Sequence, residues 1–195
     1  MKTFLHVGCG HSRQAQTTKG FNVPWWKEVR YDIDANVKPD IVGSISNMIS
    51  VASASMDAIF CNHNLEHVYT HEVPVVLSEF RRVLKEDGFA VVNTPDLLSV
   101  CQLVAQDKLE AVAYESPAGP ISPLDMLYGH TNSIKTNLFM SHRTGFTKTT
   151  LGQHLKRAGF AQVAIKVNGF NLFSLSTVSN LPQEEIKELA TYHFS

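Results

Sequence analysis

Phe4-Leu5-His6-Val7-Gly8-Cys9-Gly10 is the stretch on which the fold turns. A short apolar run, from Thr3 to Val7, breaks off into two glycines separated by one residue. A strand ends this way when backbone must approach a ligand closely at the switch point of an open α/β sheet. Any tight turn can use glycine-x-glycine, so the neighbours decide. Arg13 stands where the dinucleotide fingerprint needs its third glycine, which argues against a pyrophosphate loop. About 22 residues after the glycines, Arg30-Tyr31-Asp32-Ile33-Asp34 closes a second strand in acid. A carboxylate there can accept hydrogen bonds from both hydroxyls of a ribose. The plainer reading is a turn-forming aspartate. Asp32, nearer the last buried position of the strand, is preferred, and Asp34 stays open.

Outward from this pair, strands and helices alternate, the pattern of a mostly parallel sheet covered on both faces. The reading places strands over 28–33, 39–42 and 56–61. Val73, Val76, Leu77, Phe80, Val83 and Leu84 then mark one helical face. Pro74 suits its first turn, and Asp87-Gly88 is the expected stop. A fifth strand is expected over 89–94. From about 107 to 145 the pattern dissolves among prolines, glycines and aromatics, as in a lid-like insert. Thr147 then caps a helix carrying Leu151 and Leu155, with Gly159 at its end. Strands over 160–167 and 170–178 are joined by Asn168-Gly169, a strong hairpin signal, and a last helix starts near Pro182. The tight turn forces the final strand antiparallel. The expected fold is therefore α/β, a Rossmann-like seven-stranded sheet closed by an antiparallel hairpin, in one domain spanning 1–195.

Composition narrows the partners. Of 195 residues 44% are hydrophobic and 18% charged, as in ordinary globular proteins. The net charge is −1, whereas neutralising many phosphates calls for a basic surplus, so no nucleic-acid partner is expected. Cys9, Cys61 and Cys101 are odd in number and scattered, which fits a reducing cytoplasm better than a disulfide framework. No signal peptide or membrane span is expected.

Further motifs follow in order: Asp57-Ala58-Ile59-Phe60, Leu65-Glu66-His67, and Arg82-Val83-Leu84-Lys85-Glu86-Asp87-Gly88. With the two opening motifs they give the chain a resemblance to the class I S-adenosylmethionine-dependent methyltransferases. It is closest to small members with strand-GCG, strand-D, LEH and RVLK-x-G. The resemblance covers about 3–96, resumes over 146–160 and fails across the insert. It implies S-adenosylmethionine as cofactor, with Gly8, Cys9 and Gly10 along its methionine part. Asp32 would take the ribose with Ile33 beside it, Ser44 and Ile45 would flank the adenine, and Asn62 and His63 would face the sulfonium. Ser44 departs from the acidic residue usual there, and the stretch after Gly10 is too short for the usual helix.

His63-Asn64-Leu65-Glu66-His67 also spells HxxEH, the inverted zinc-protease signature. This copy follows a strand at the position where the methyltransferase pattern has LEH, and the chain is short for such a protease. Some relatives of the fold hold a divalent metal with an EH pair, but His67 packing at a helix start is the plainer reading, and no metal ligand is assigned. Methyl transfer needs alignment and exclusion of water, with a general base only for a hydroxyl or protonated amine. His63 and His142 are the catalytic candidates, with Asp96 and His130 behind them. The expected acceptor is a small or sugar-like molecule, methylated at oxygen or nitrogen. The competing readings are a catalytically inactive cofactor-binding partner subunit and, less well supported, a dehydrogenase.

Overall fold

The structure, a computed structural model, describes residues 1–194. The strands in chain order begin with β1 (Lys2–Val7), β2 (Trp26–Asp32), β3 (Ile41–Val42) and β4 (Met56–Asn62). Helix α1 (Val73–Val83) leads directly into β5 (Leu84–Pro95), followed by α2 (Leu97–Val104). The insert carries β6 (Tyr114–Ser116), β7 (Gly119–Ile121), α3 (Pro123–Tyr128) and α4 (Thr131–Ile134). Helix α5 (Lys148–Arg157), the hairpin β8 (Gln162–Asn168) and β9 (Asn171–Thr177), and α6 (Gln183–His193) complete the chain.

The seven long-range strands form one sheet in the order β3-β2-β1-β4-β5-β9-β8. Strands β1 to β5 run parallel, and β9 enters antiparallel between β5 and β8. The order reverses direction beside β1, which sets its glycine loop at the switch point where α/β sheets bind ligands. The period of two sorts side chains between the faces. Leu5, Ile59, Cys61, Ala90 and Val92 point to the side covered by α1 and α5. Phe4, Ala58, Phe60, Phe89 and Val91 point to the other side, where Phe21, Trp26 and Leu189 of α6 pack over them. Each fully buried large side chain contributes on the order of 1.5–3 kcal/mol.

Three elements depart from the sequence pattern. Helix α1 stops at Val83 rather than at Asp87-Gly88, because Leu84 turns extended and pairs with Met56. The hairpin closes one residue later than Asn168-Gly169: Asn168 pairs with Asn171, leaving Gly169-Phe170 as the turn, with Gly169 at φ +57°. The insert is not irregular. Val100, Ile121 and Met126 bury themselves together as a small core of its own, joining α2 to β7 and α3.

The short stretch after Gly10 forms one turn of 3-10 helix, Gln14–Gln16, instead of a full helix. The Gln14 side-chain amide donates to the carbonyls of Phe21 (2.8 Å) and Val23 (3.0 Å) and so pins this loop over the second face. No helix among the described residues is long and apolar enough to cross a membrane.

Candidate active site

Gly8 and Gly10 adopt φ of +60° and +51°, the left-handed region that carries a steric penalty for side chains. A Cβ on Gly8 would stand 2.2 Å from Cγ and Nδ2 of Asn64, so the glycine makes room for that amide. Two groups brace the loop from beneath. The Asp32 carboxylate accepts from the N–H of Gly10 (2.8 Å) and of Asp34 (2.9 Å). The buried Arg30 guanidinium donates to the carbonyls of Gly10 (2.5 Å), Ser12 (3.3 Å) and Lys38 (2.7 Å). Arg30 thereby ties the glycine loop to the turn after β2. The sequence reading passed over it, although a lone arginine inside an otherwise buried strand end was a visible signal.

A cleft opens beside this loop. Its wall includes Gly8, Asp32, Ile33, Ser44, Ile45, Asn64, His67, Phe139 and Arg143. Cys9 and Gly10 continue the loop beyond that wall. The Cys9 thiol is buried, and burial pushes it up to about 11, leaving its backbone as the part that serves the loop. Asp34 caps its own turn, accepting from Asn36 N–H at 2.9 Å, and its other oxygen accepts from the Asn137 amide at 3.4 Å. Ser44 Oγ shares a hydrogen bond with Ser46 Oγ (2.9 Å), while its carbonyl accepts from the Tyr31 hydroxyl (2.9 Å).

A second chamber lies under the insert, lined by His63, His67, Tyr114, Met126, His130 and His142 among others. His67 lines both spaces. His63 stands at φ +48° just beyond β4, where its N–H donates to the Asn93 carbonyl (2.9 Å). Asn62 is exposed and accepts from the Asn93 amide (3.0 Å). Asp96 lies outside both chambers. It caps α2, accepting from the N–H groups of Leu98 and Ser99 and from the Ser99 hydroxyl (2.6 Å).

Glu66 sits between the histidines, only 1% exposed. It accepts from His63 Nδ1 at 3.2 Å and from the Thr94 hydroxyl at 3.2 Å. Burial pushes its carboxyl up, but the His63 hydrogen bond and the surrounding imidazoles outweigh that and hold it below the ordinary range. For His63, burial pushes down while the Glu66 hydrogen bond and charge push up, and the net direction is up. His142 goes down, because burial outweighs the pull of Glu66. Glu66 and His67 were weighed in the sequence as a protease motif, as a metal-holding pair and as a packed turn, with the turn preferred. Their convergence with His142 depends on the path of the insert, which no local pattern carries.

Residues 5–92 match the model of a methyltransferase domain family. The matched segment, a little under half of the chain, thus carries the sequence of a methyltransferase domain. Solved structures agree on the fold. A SAM-dependent methyltransferase from Archaeoglobus fulgidus is 14% identical, with 90% of this chain and 86% of that one covered at a TM-score of 0.59. A SAM-dependent methyltransferase from Methanosarcina mazei is 15% identical, covering 90% and 91% at 0.59. The 1,6-didemethyltoxoflavin-N1-methyltransferase of Burkholderia thailandensis, solved with bound 1,6-didemethyltoxoflavin and S-adenosylhomocysteine, is 14% identical, covering 91% and 71% at 0.55. No protein of curated function matches the sequence.

The matched family implies S-adenosylmethionine as cofactor, and the residues of the cleft fit that ligand. The Asn64 Oδ1 atom is buried without a hydrogen-bond partner at the wall of the cleft, an acceptor that a ligand ammonium or hydroxyl would satisfy. Gly8 keeps backbone, not side chain, at the same wall.

Proposed function

We propose that this methyltransferase methylates an oxygen or nitrogen of a small or sugar-like acceptor held in the chamber beneath the insert. The observation that carries the reading is His67, which belongs at once to the cleft beside the glycine loop and to the chamber under the insert. The two spaces are one side chain apart, the separation that in-line transfer between neighbouring ligands needs.

In this reading Gly8, Cys9 and Gly10 follow the methionine part of the cofactor, Asp32 holds the ribose, and Ile33, Ser44 and Ile45 flank the adenine. Asn62 and His63 mark the side toward the acceptor. The bound cofactor supplies a methyl group on a positively charged sulfur. The chain supplies orientation, dryness and a proton acceptor. His63 Nδ1–H is engaged by Glu66, which leaves Nε2 free to take a proton from a hydroxyl or ammonium acceptor. The paired carboxylate stabilises the imidazolium that results.

The chain works here as one domain, with residues 107–145 as the acceptor lid. The cleft and the chamber measure about 190 and 150 Å³. Pockets that enclose whole organic ligands usually measure roughly 300–1,000 Å³. The lid therefore moves outward to admit cofactor and acceptor. Its mixed lining of Tyr114, Met126 and imidazoles suits a compact organic molecule rather than an extended polymer.

The test is calorimetric titration with S-adenosylhomocysteine, followed by methyl-transfer screening of small hydroxylated and amine acceptors. Tight product binding and transfer to one acceptor class support the reading. Transfer confined to protein or RNA acceptors would overturn it.

A further inference from the structure

We propose that Glu66, His67 and His142 form a binding site for one divalent transition-metal ion at the junction of the two chambers. One ligand atom from each lies within 4.8 Å of the others, and no other described cluster of histidine, cysteine or carboxylate side chains converges in this way.

The hydrogen bonds fix the imidazoles for this task. His67 Nδ1 lies 3.1 Å from the Ser141 carbonyl, and His142 Nδ1 lies 2.9 Å from the Met126 carbonyl. A carbonyl only accepts, so each Nδ1 carries the proton and each Nε2 presents a lone pair. Metal-binding histidines are held in this way, the ring nitrogen away from the ion donating to a carbonyl or carboxylate. Neither Nε2 makes a hydrogen bond among the described residues. Two lone pairs thus share a site with a carboxylate that is 1% exposed and that, among the described residues, accepts hydrogen bonds only from the Thr94 hydroxyl and the His63 N–H. An electron-rich site of this kind calls for a cation.

The frame is held independently of any ion. The N–H groups of Arg143 and Thr144 donate to the Glu66 carbonyl at 2.8 and 3.2 Å, latching the returning limb of the insert beside His67. Two imidazoles and one carboxylate favour manganese-to-zinc chemistry over the all-oxygen sets of calcium and magnesium. Three protein ligands leave coordination positions open toward the chamber. A hydroxyl oxygen of the acceptor can fill one of them and be made a better nucleophile there. This use of the ion rests on the acceptor reading above; the ion site itself does not.

Cobalt(II) is the probe, titrated into chelator-stripped full-length protein and followed by calorimetry and by its visible d–d absorption. The expected result is one ion per chain, with affinity lowered about tenfold or more in both His142→Ala and His67→Gln. Circular dichroism establishes that each variant is folded. Asp32→Ala should bind cobalt as before while losing S-adenosylhomocysteine. Folded protein that takes up no ion, or an affinity untouched by both histidine substitutions, overturns the site. If cobalt binds but no acceptor is found, the site stands and the acceptor reading alone fails.

Discussion

The rings of His67 and His142 meet edge to face with centroids 4.9 Å apart. One comes from the turn after β4, the other from the returning limb of the insert, so the walls of the acceptor chamber are assembled by a tertiary contact. What holds this contact is main chain: the His142 N–H donates to the Tyr128 carbonyl at 3.0 Å, and the following residues donate to Glu66. The chemistry of the chamber is therefore coupled to how closely α3 approaches residues 140–142.

Gly129 sets that approach. It sits at φ +98°, and a Cβ there would meet the Met140 carbonyl oxygen at 2.2 Å, a backbone atom that cannot swing aside. Gly129→Ala adds backbone strain of about 1–3 kcal/mol. For a chain of this size that lowers Tm by roughly 2–10 °C. Scanning calorimetry should show this drop, with faster amide exchange across 130–143 and S-adenosylhomocysteine affinity within about twofold of the parent, since the cleft depends chiefly on other segments. An unchanged Tm would mean that the insert is not held by this close approach.

Asp32 is predicted to dominate cofactor affinity. Its carboxylate both braces Gly10 and lines the cleft. Hydrogen bonds to a charged group are worth about 1.5–3 kcal/mol, so Asp32→Ala should weaken S-adenosylhomocysteine binding roughly 10- to 150-fold. Asp34→Ala removes a turn cap and one long hydrogen bond from the Asn137 amide, and should change affinity less than about threefold. Calorimetry on the two variants decides between them, and a larger loss at Asp34 would reverse the assignment.

Gly8 and Asn64 are predicted to be coupled. Gly8→Ala places a methyl group 2.2 Å from the Asn64 amide and demands a left-handed φ from alanine. The single variant should lose cofactor binding and be destabilised by about 1–3 kcal/mol. Adding Asn64→Ala removes the amide from the clash but leaves the Cβ of residue 64 at 2.7 Å and the strained φ, so stability should recover only in part. Strictly additive denaturation energies would show that the two side chains do not compete for one space.

These contrasts show what was legible in the sequence. Local chemistry was readable: glycines ending β1, acid ending β2, the apolar stripe of α1 and the Thr147 cap each act within a few residues. Strand order followed, because parallel strands with a closing hairpin leave few topologies. Contacts made only by folding were hidden. The Glu66 backbone receiving Arg143, the Arg30 guanidinium threading four loop carbonyls, and the small core at Val100, Ile121 and Met126 all join distant residues without a repeating period. Asp96 was misread as a candidate base for the same reason, since its cap on α2 became visible only once α2 itself was.

His193 is predicted to make the fold acid-sensitive. Its ring lies in α6 against Phe21 and Phe89, and its Nδ1 meets the Thr18 hydroxyl at 2.7 Å. None of these neighbours is charged, and burial pushes the imidazole down to about 4. The folded state therefore resists a proton that the unfolded chain accepts near pH 6.5. Stability from this group is intact above about pH 6.5 and falls by about 1.4 kcal/mol per unit until about pH 4, roughly 3 kcal/mol in all. His6 is also pushed down by burial, its bond to Glu28 notwithstanding, and adds in the same direction. Asp125, held near 2 by bonds from Thr131 and Ser122 that outweigh its burial, contributes its loss only below about pH 4. Urea unfolding at pH 7, 5.5 and 4.5 measures the slope, and His193→Gln should flatten it while keeping a partner for Thr18. An equal slope in parent and variant would assign the acid sensitivity to other groups.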